Sequence, residues 1–302
     1  MNHSLDLSHL APIAQSAIFL PDSERIARIR ADRWIGYPKA RQALDQLEDL
    51  FTLPERQRMQ NMLLISPTNN GKSMIIEKFR RQHLPYVSED GEKEIIPVLT
   101  IQMPSDPSIS RFYTLLLYAL NSPMKPRMRI ADLEVLALRL MKLTQVKMLI
   151  IDELHNILAG KYTLRSEFLN LLRFLGNELR IPIVGVGTED AYRAIRIDDQ
   201  LENRFKPFIL SRWCNNEELL SLLGSFAASF PLKRPSVLHH PDIAQYIISK
   251  TGGTIGEIST LLVRAATIAI HSGEEEINSK TLSNAEYDSP SERRKKFERE
   301  LK

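Results

Sequence analysis

The amino-acid sequence predicts an α/β fold, in which helices cover a five-stranded parallel sheet, joined to a small C-terminal all-helical lid domain. Two observations carry this prediction. Short runs rich in Val, Ile and Leu alternate with longer segments of helical periodicity, which is typical of a parallel sheet covered on both faces. Beyond Trp213 the helical segments continue without strands between them. The 302 residues are enough for one large domain or two ordinary ones.

The predicted elements follow in a definite order along the chain. Residues 1–33 are predicted to form an N-terminal arm, 34–213 the α/β domain and 214–285 the helical lid. Residues 286–302 are predicted to be a charged tail that is either solvated or docks on a partner. Within the α/β domain, the predicted strands are residues 61–66, 95–103, 147–153, 181–188 and 208–213.

Composition limits the class of protein and the kinds of site. A content of 43% hydrophobic and 25% charged residues is typical of a globular protein. The net charge of +3 requires any nucleic-acid site to come from local clustering. The single cysteine, Cys214, excludes an internal disulfide. The N-terminus lacks the basic region of a signal peptide, and no apolar run approaches the ~20 residues of a membrane helix. We therefore expect a cytoplasmic protein that does not bind membranes.

The segment "SPTNNGKS", residues 66–73, is the first candidate functional motif. It lies between a predicted strand and a predicted helix, and Gly71-Lys72-Ser73 matches the end of the phosphate-loop pattern G-x-x-x-x-G-K-[ST]. Ser66 stands where the pattern has its first glycine. The predicted nucleotide-binding segment comprises Ser66, Pro67, Thr68, Asn69, Asn70, Gly71, Lys72, Ser73 and Met74.

Each part of this loop has an expected role. Backbone N–H groups and the helix N-terminus would cradle a phosphate. Lys72 would reach the β- and γ-phosphates, and the Ser73 hydroxyl would ligate Mg²⁺. The alternative is an ordinary turn in which Lys72 is solvated and Ser73 caps the helix.

The acid pair in "KMLIIDELHN" is the second motif. Asp152 and Glu153 follow four apolar residues and are expected at the carboxyl end of a buried strand, where ligands bind in open α/β sheets. Asp152 would hold Mg²⁺, and Glu153 would polarise the attacking water. The alternative role is a helix cap. Together with the loop, the pair predicts binding of ATP or GTP.

Two further residues are candidates for catalysis. Thr188 ends the fourth predicted strand beside the acid pair, where it would orient the attacking water or, alternatively, cap a helix. Arg204 precedes the fifth predicted strand and would act as an arginine finger on a neighbouring subunit, or else form a surface salt bridge with Asp199 or Glu202. His155 is interpreted as structural.

A basic loop is the candidate DNA-binding surface. Residues 121–134 join two helical segments and concentrate Lys125, Arg127 and Arg129 within five positions. In an oligomer this loop would repeat in each subunit and line a path for a phosphate backbone, with sequence-tolerant, salt-dependent contacts. The alternative is that the three charges are only solvated.

Together, these motifs resemble those of the AAA+ family, in that family's order. More narrowly, "RWIGYPKA", "NNGKSMI", "LIIDELHN" and "TGGTIGEISTLL" resemble the TniB-type ATPases of transposons, relatives of the transposition regulators TnsC and MuB. This resemblance covers residues 34–285. Where many AAA+ proteins place a sensor arginine, the lid has Gly256.

The resemblance implies an ATP- and Mg²⁺-dependent regulator of DNA transposition. Such a protein forms a ring or helical filament on duplex target DNA and recruits or activates the transposase, with a target-selection protein as a further partner. Two alternatives stay open at the level of sequence. One is a helper ATPase that loads a helicase or initiates replication, and the other is a nucleotide-binding scaffold with negligible hydrolysis.

Overall fold

The structure is a computed structural model that describes residues 6–105, 107–123, 125 and 127–301. The chain divides into two compact units. The sheet unit comprises Gln42–Thr68 and Lys72–Ser211. The helical unit comprises Asn69–Gly71 together with the described residues before Gln42 and after Ser211.

All strands of the described residues lie in the sheet unit. They are, in chain order, β1 (Asn61–Ile65), β2 (Tyr86–Val87), β3 (Glu94–Ile95), β4 (Val98–Gln102), β5 (Met148–Asp152), β6 (Ile183–Gly187) and β7 (Phe205–Ile209). Five of them form one sheet in the order β4-β5-β6-β1-β7, and every neighbouring pair is parallel. The predicted five-stranded parallel sheet is therefore confirmed. The short strands β2 and β3 pair separately as an antiparallel hairpin.

The helices of the described residues extend over both units. In chain order they are α1 (Pro12–Ala17), α2 (Asp22–Arg30), α3 (Pro38–Phe51), α4 (Lys72–Gln82), α5 (Ile109–Ala119), α6 (Ile130–Leu143), a 3₁₀ helix (Leu154–Ala159), α7 (Tyr162–Leu179), α8 (Glu189–Ile195), α9 (Asp199–Glu202), α10 (Glu217–Ser229), α11 (Pro241–Thr251), α12 (Ile255–His271), α13 (Ser279–Asn284) and α14 (Pro290–Glu300).

Continuous apolar sequence explains the central strands. Every residue of β1 and β6 is buried, as are the first four residues of β5. A parallel sheet with both faces covered selects such unbroken runs rather than alternation. Phe112 of α5 and Phe168 of α7 belong to the core on the sheet and meet edge to face, with ring centroids 5.9 Å apart.

Two predicted strands differ from the structure, and proline is involved in both. The predicted strand 95–103 is interrupted at Pro97, so that Ile95 pairs with Tyr86 in the hairpin and β4 begins at Val98. The predicted strand 208–213 instead spans 205–209 as the edge strand β7, which contains Pro207. An edge strand can include a residue without a backbone N–H, so Pro207 does not break β7.

The helical unit includes residues that were predicted to form an arm. Helix α2 lies within residues 1–33, and its Arg25 is fully buried, where it donates hydrogen bonds to the Pro231 carbonyl and the Glu275 carboxylate. The Ala11 N–H donates to the carbonyl of Ala228 in α10 at 2.8 Å. The N-terminal helices are thus bonded to residues that follow Trp213, namely Ala228 of α10 and the inter-helix residues Pro231 and Glu275.

A helix that spans a membrane combines sufficient length with a predominantly apolar composition. In the described part of the chain, no helix does so alone. Helices α11 and α12 meet the criteria only as a pair, which bends by 115°.

Candidate nucleotide-binding site

The segment 66–73 connects the central strand β1 to helix α4. Ser66 is 1% exposed, and its N–H donates to the Gly187 carbonyl at 3.1 Å, so it extends the pairing of β1 with β6. Its hydroxyl donates to the Pro67 carbonyl at 3.0 Å. Ser66 is not among the described residues with a positive φ. The backbone at this position therefore does not require the glycine of the phosphate-loop pattern.

Left-handed backbone shapes the middle of the loop. Asn69 has a φ of 60° and Gly71 a φ of 89°. Asn tolerates the left-handed region better than most residues, whereas a φ of 89° favours glycine. A Cβ at Gly71 would also lie 3.3 Å from Cγ2 of Ile255, which is close. The glycine that the motif retains is thus the one that the conformation requires.

Lys72, the first residue of α4, is held inside the loop. Its side chain is mostly buried, and its ammonium donates to the carbonyl oxygens of Ser66 and Pro67, both at 3.0 Å. Burial lowers the pKa of Lys72, and the carboxylates of Glu153 and Asp152 act against this lowering. The loop lysine and the acid pair are therefore electrostatically coupled, and the alternative of a solvated Lys72 does not hold.

The acid pair lies where β5 ends. Asp152 is the last strand residue, and its Oδ1 accepts a hydrogen bond from the Glu153 N–H at 2.8 Å. Glu153 has a φ of 54°, in the left-handed region that costs an ordinary residue roughly 1–2 kcal/mol. Such strain is found preferentially at functional sites. The backbone therefore turns sharply between the two carboxylates.

His155 contacts Glu153, although its sequence context indicated a structural role. Nε2 of His155 lies 3.1 Å from Oε2 of Glu153, and the histidine side chain is 25% exposed. Its Nδ1 is buried and has no hydrogen-bond partner among the described residues. The imidazole thus contributes a single polar contact, and that contact is to the candidate catalytic carboxylate.

Two glycines of β6 leave space for the side chains of Leu154 and His155, which follow the acid pair. A Cβ at Gly185 would lie 2.5 Å from Cδ2 of Leu154, and a Cβ at Gly187 would lie 3.2 Å from Nδ1 of His155. Both contacts are closer than side chains normally allow. The sequence "IVGVG" therefore accommodates the two residues that follow the acid pair.

Thr188 follows β6, which lies between β1 and β5 in the sheet. In strand order, it emerges between the loop after β1 and the acid pair after β5. It occupies the N-cap position of α8, but among the described residues its side chain accepts no capping hydrogen bond. Its hydroxyl is therefore not used as the helix cap that was the alternative interpretation.

Arg204 lies at the amino-terminal end of the parallel strands β1 and β7, whereas Ser66 lies at their carboxyl end. Arg204 precedes β7, and its carbonyl accepts from the N–H of Asn61, the first residue of β1. Its guanidinium donates to Oδ1 of Asn177 at 2.9 Å, rather than to either acid in the sequence-based alternative. Burial lowers the pKa of Arg204, as do the nearby charges of Arg58 and Arg173, whereas Asp198 acts in the opposite direction.

The basic loop between α5 and α6 is exposed at all three candidate residues, Lys125, Arg127 and Arg129. Arg129 forms an ion pair with Asp132 at 3.0 Å, and its side chain is 85% exposed. Such an exposed pair is worth at most about 1 kcal/mol and competes only weakly with a phosphate. Met124 and Pro126 of this loop lie outside the described residues.

The residues present fit Mg²⁺ held jointly with phosphate oxygens. Ser73 and Asp152 offer oxygen donors, which this hard cation prefers. No group of three or more His, Cys, Asp or Glu side chains among the described residues could hold a metal ion alone. Mg²⁺ is usually bound through one or two carboxylates plus substrate phosphates, so the sparse donor set agrees with that chemistry.

The sheet order, the strand–loop–helix at residues 66–73 and the helical unit define the fold of AAA+ P-loop ATPases. The model of the family described as Bacterial TniB protein matches residues 25–215. The chain belongs to the TniB family. A search of curated proteins found no match.

Several solved structures have a similar fold. Three of them are the Aeropyrum pernix ORC2 protein (15% identity, TM-score 0.57, 85% of this chain and 70% of that chain), Cdc6p from Pyrobaculum aerophilum (17%, 0.58, 85% and 68%) and the Aeropyrum pernix ORC1 protein in complex with DNA (14%, 0.58, 86% and 68%). At these identities the likeness shows the fold alone.

Proposed function

We propose that this TniB-family protein is an ATP-dependent regulator of DNA transposition. It oligomerises on duplex target DNA and recruits or activates a transposase, and ATP hydrolysis resets the assembly. The observation that carries the proposal is Lys72, which is buried within the loop 66–73 with its ammonium held by the carbonyl oxygens of Ser66 and Pro67. Membership of the TniB family supports the link to transposition.

The loop supplies the contacts to the nucleotide. Backbone N–H groups at the start of α4 bind phosphate oxygens, and Lys72 adds a positive charge to the β- and γ-phosphates. Ser73 and Asp152 would hold Mg²⁺. When bound, this ion neutralises developing negative charge on the phosphates.

Glu153 orients and polarises the attacking water. Glu153 directly follows β5, which ends in Asp152, so both carboxylates lie at the same strand end. Asp152 is assigned to Mg²⁺ and Glu153 to the attacking water. His155 restrains the Glu153 carboxylate through the contact at 3.1 Å. Thr188, whose hydroxyl does not serve as a cap among the described residues, is available to hold the same water.

Arg204 serves a neighbouring subunit. It precedes β7, whereas the loop follows β1, and the two parallel strands lie side by side. The five residues of a strand span about 16 Å at ~3.3 Å per residue. This separation disfavours a contact between Arg204 and the γ-phosphate of its own subunit, and it supports a role in trans.

The basic loop binds the DNA backbone. Lys125, Arg127 and Arg129 are exposed, and no aromatic residue lies among them to stack on bases. Contacts through such charges are directed to phosphates and depend strongly on salt. The similarity of fold to the Aeropyrum pernix ORC1 protein, whose structure is in complex with DNA, is compatible with this role.

A second candidate function follows from the similar structures. This alternative is a helper ATPase that acts as a helicase loader or replication initiator, and the likeness in fold to Cdc6p and to an ORC protein is compatible with it. A neighbouring gene that encodes an integrase-like transposase would favour transposition over this alternative. A third candidate, a scaffold with negligible hydrolysis, predicts no ATP turnover with or without duplex DNA.

Binding of a fluorescent ATP analogue tests the nucleotide site. Lys72→Ala removes the charge that faces the phosphates, and we expect binding to be lost. Lys78→Ala, on the same helix α4, is the matched control and should bind like the parent. Equal affinity of the Lys72 and Lys78 variants would refute the assignment of the loop.

A further inference from the structure

We propose that Glu257, in the first turn of α12, is a positioning residue for the phosphate loop, and that Tyr287 and Arg293 hold it in place. The C-terminal segment from Tyr287 onward then supports residues 69–71 of the loop and is not a separate tail. This inference rests on the proposed binding of nucleotide by residues 66–73. All the contacts that carry it lie within the helical unit.

The start of α12 forms three hydrogen bonds with the loop. The Gly256 N–H donates to the carbonyl of Asn69 at 3.0 Å, and the Ile255 N–H donates to Oδ1 of Asn70 at 3.1 Å. In return, Nδ2 of Asn69 donates to Oε1 of Glu257 at 3.2 Å. The middle of the loop is therefore held by both backbone and side-chain bonds.

These bonds set the direction of a backbone donor. The peptide bond between Asn69 and Asn70 is trans, since no cis bond occurs among the described residues. In a trans peptide the C=O and N–H point in opposite directions. Because the Asn69 carbonyl points at Gly256, the Asn70 N–H points away from α12. Fixing this peptide in advance reduces the entropy lost when a phosphate binds.

Gly256 is required for this arrangement. A Cβ at that position would lie 1.9 Å from Oδ1 of Asn69 and 2.7 Å from its Nδ2. Any other residue would displace the Asn69 carboxamide from Glu257. The absence of an arginine at the sensor position of the lid therefore has a physical reason: the loop side chain occupies that space.

Glu257 is itself held by residues near the C-terminus. The side chain is only 11% exposed; its Oε2 accepts from the Tyr287 hydroxyl at 2.6 Å, and its Oε1 accepts from Nη2 of Arg293 at 2.7 Å. Burial alone would raise the pKa of Glu257, but hydrogen bonds from Tyr287, Arg293 and Asn69 outweigh it and lower the pKa. The ionised carboxylate of Glu257 can accept all three bonds. Burial and the hydrogen bond to Glu257 raise the pKa of Tyr287, so the Tyr287 hydroxyl stays protonated and donates.

A role confined to packing makes a different prediction from a positioning role. If Glu257 only joined α12 to α14, its loss would lower the stability of the helical unit and leave nucleotide affinity unchanged. If it positions Asn69, affinity falls even in variants that stay fully folded. Tyr287→Phe is suited to this test because it removes one hydroxyl and keeps the ring.

The experiment titrates a fluorescent ATP analogue into a set of full-length variants. We expect Glu257→Ala to weaken binding about tenfold, equivalent to about 1.4 kcal/mol. Tyr287→Phe and Arg293→Ala should weaken it by smaller factors, and the exposed neighbour Arg294→Ala should have no effect. Gly256→Ala should match Glu257→Ala in affinity while retaining thermal stability, because alanine favours the helix by up to about 1 kcal/mol.

A rescue experiment separates positioning from packing. Asn69→Asp places a carboxylate against Glu257 and should weaken binding, whereas Asn69→Asp combined with Glu257→Gln restores a donor and an acceptor. We expect the double variant to bind more tightly than Asn69→Asp alone. Parental affinity in folded Glu257→Ala and Tyr287→Phe proteins would overturn the inference. If the parent itself binds no nucleotide, the proposed function fails and the inference fails with it.

Discussion

Replacing Arg25 tests how the N-terminal residues contribute to the fold. Arg25 is fully buried in α2. Its Nη1 donates to Oε1 of Glu275 at 2.9 Å, its Nη2 donates to the Pro231 carbonyl at 2.7 Å, and Nη2 also contacts Oε2 of Glu275. Arg25→Ala would therefore leave a carboxylate and a carbonyl without their buried donor.

The expected loss of stability follows from what remains around Glu275. Breaking a buried ion pair typically costs about 3–5 kcal/mol, because the other charge is left uncompensated. Glu275 keeps two donors, the Lys233 ammonium at 3.2 Å and the Lys233 N–H at 3.2 Å, which places the cost at the lower end. Asp22 is 63% exposed and adds little. We expect the free energy of unfolding of the helical unit to fall by about 3 kcal/mol.

Tryptophan fluorescence reports this loss selectively. The chain has two tryptophans, Trp34 and Trp213, and both lie in the helical unit. Urea unfolding followed by their emission therefore measures the unit that Arg25 stabilises. Arg28→Ala, at an exposed position of the same helix, is the matched control and should change stability by at most about 0.5 kcal/mol.

The pH dependence provides a second readout. Burial alone would raise the pKa of Glu275, but the hydrogen bonds from Arg25 and Lys233 outweigh it and lower the pKa below 4.5. Ionised Glu275 therefore adds stability that is fully present above pH 4.5 and is lost as the pH falls through the folded-state pKa. Arg25→Ala should reduce this acid sensitivity. Equal stability of the Arg25 and Arg28 variants, with unchanged acid sensitivity, would refute the reasoning.

Three predictions concern the sheet unit and are measured by ATP turnover. Glu153→Gln should retain ATP binding and lower the hydrolysis rate about 100-fold or more, and normal turnover would exclude Glu153 as the base. His155→Phe keeps a ring beside Gly187 but removes the imidazole nitrogen that contacts Glu153. We expect kcat to fall about tenfold at unchanged ATP affinity, whereas an unchanged kcat would mean that His155 only packs against its neighbours. Mixed Arg204→Ala and Lys72→Ala subunits should regain activity that neither variant has alone, and co-assembly without any rescue would contradict a site shared between subunits.

The sequence predicted the central sheet and its loop because both depend on local signals. The strands β1, β5 and β6 are unbroken apolar runs, and Lys72 begins a helix directly after a turn. The edge strand β7 was predicted at 208–213 but spans 205–209 and contains Pro207. Its position is fixed by pairing with β1, which is not visible in the local sequence.

Contacts between distant residues account for the features that the sequence did not predict. Arg25 and Glu275 are 250 positions apart, so nothing near Arg25 indicated a buried ion pair. Asn69 and Glu257 are 188 positions apart, and in the sequence the neighbouring Gly256 indicated only the lack of a sensor arginine. The contact between His155 and Glu153 had a nearer signal, since Gly187 of "GVG" leaves space for the imidazole.

Nucleotide-dependent binding to duplex DNA tests the central claim most directly. Fluorescence anisotropy with a labelled duplex would be measured over a range of salt, with a slowly hydrolysed ATP analogue or with ADP. We expect tight binding only with the ATP analogue, no such gain in Lys72→Ala, and weaker binding when Lys125, Arg127 and Arg129 are all replaced by Ala. The logarithmic salt slope of that triple variant should fall by up to about 0.9 per lost phosphate contact. Duplex binding by the parent that is identical with the ATP analogue, with ADP and without nucleotide would contradict the account.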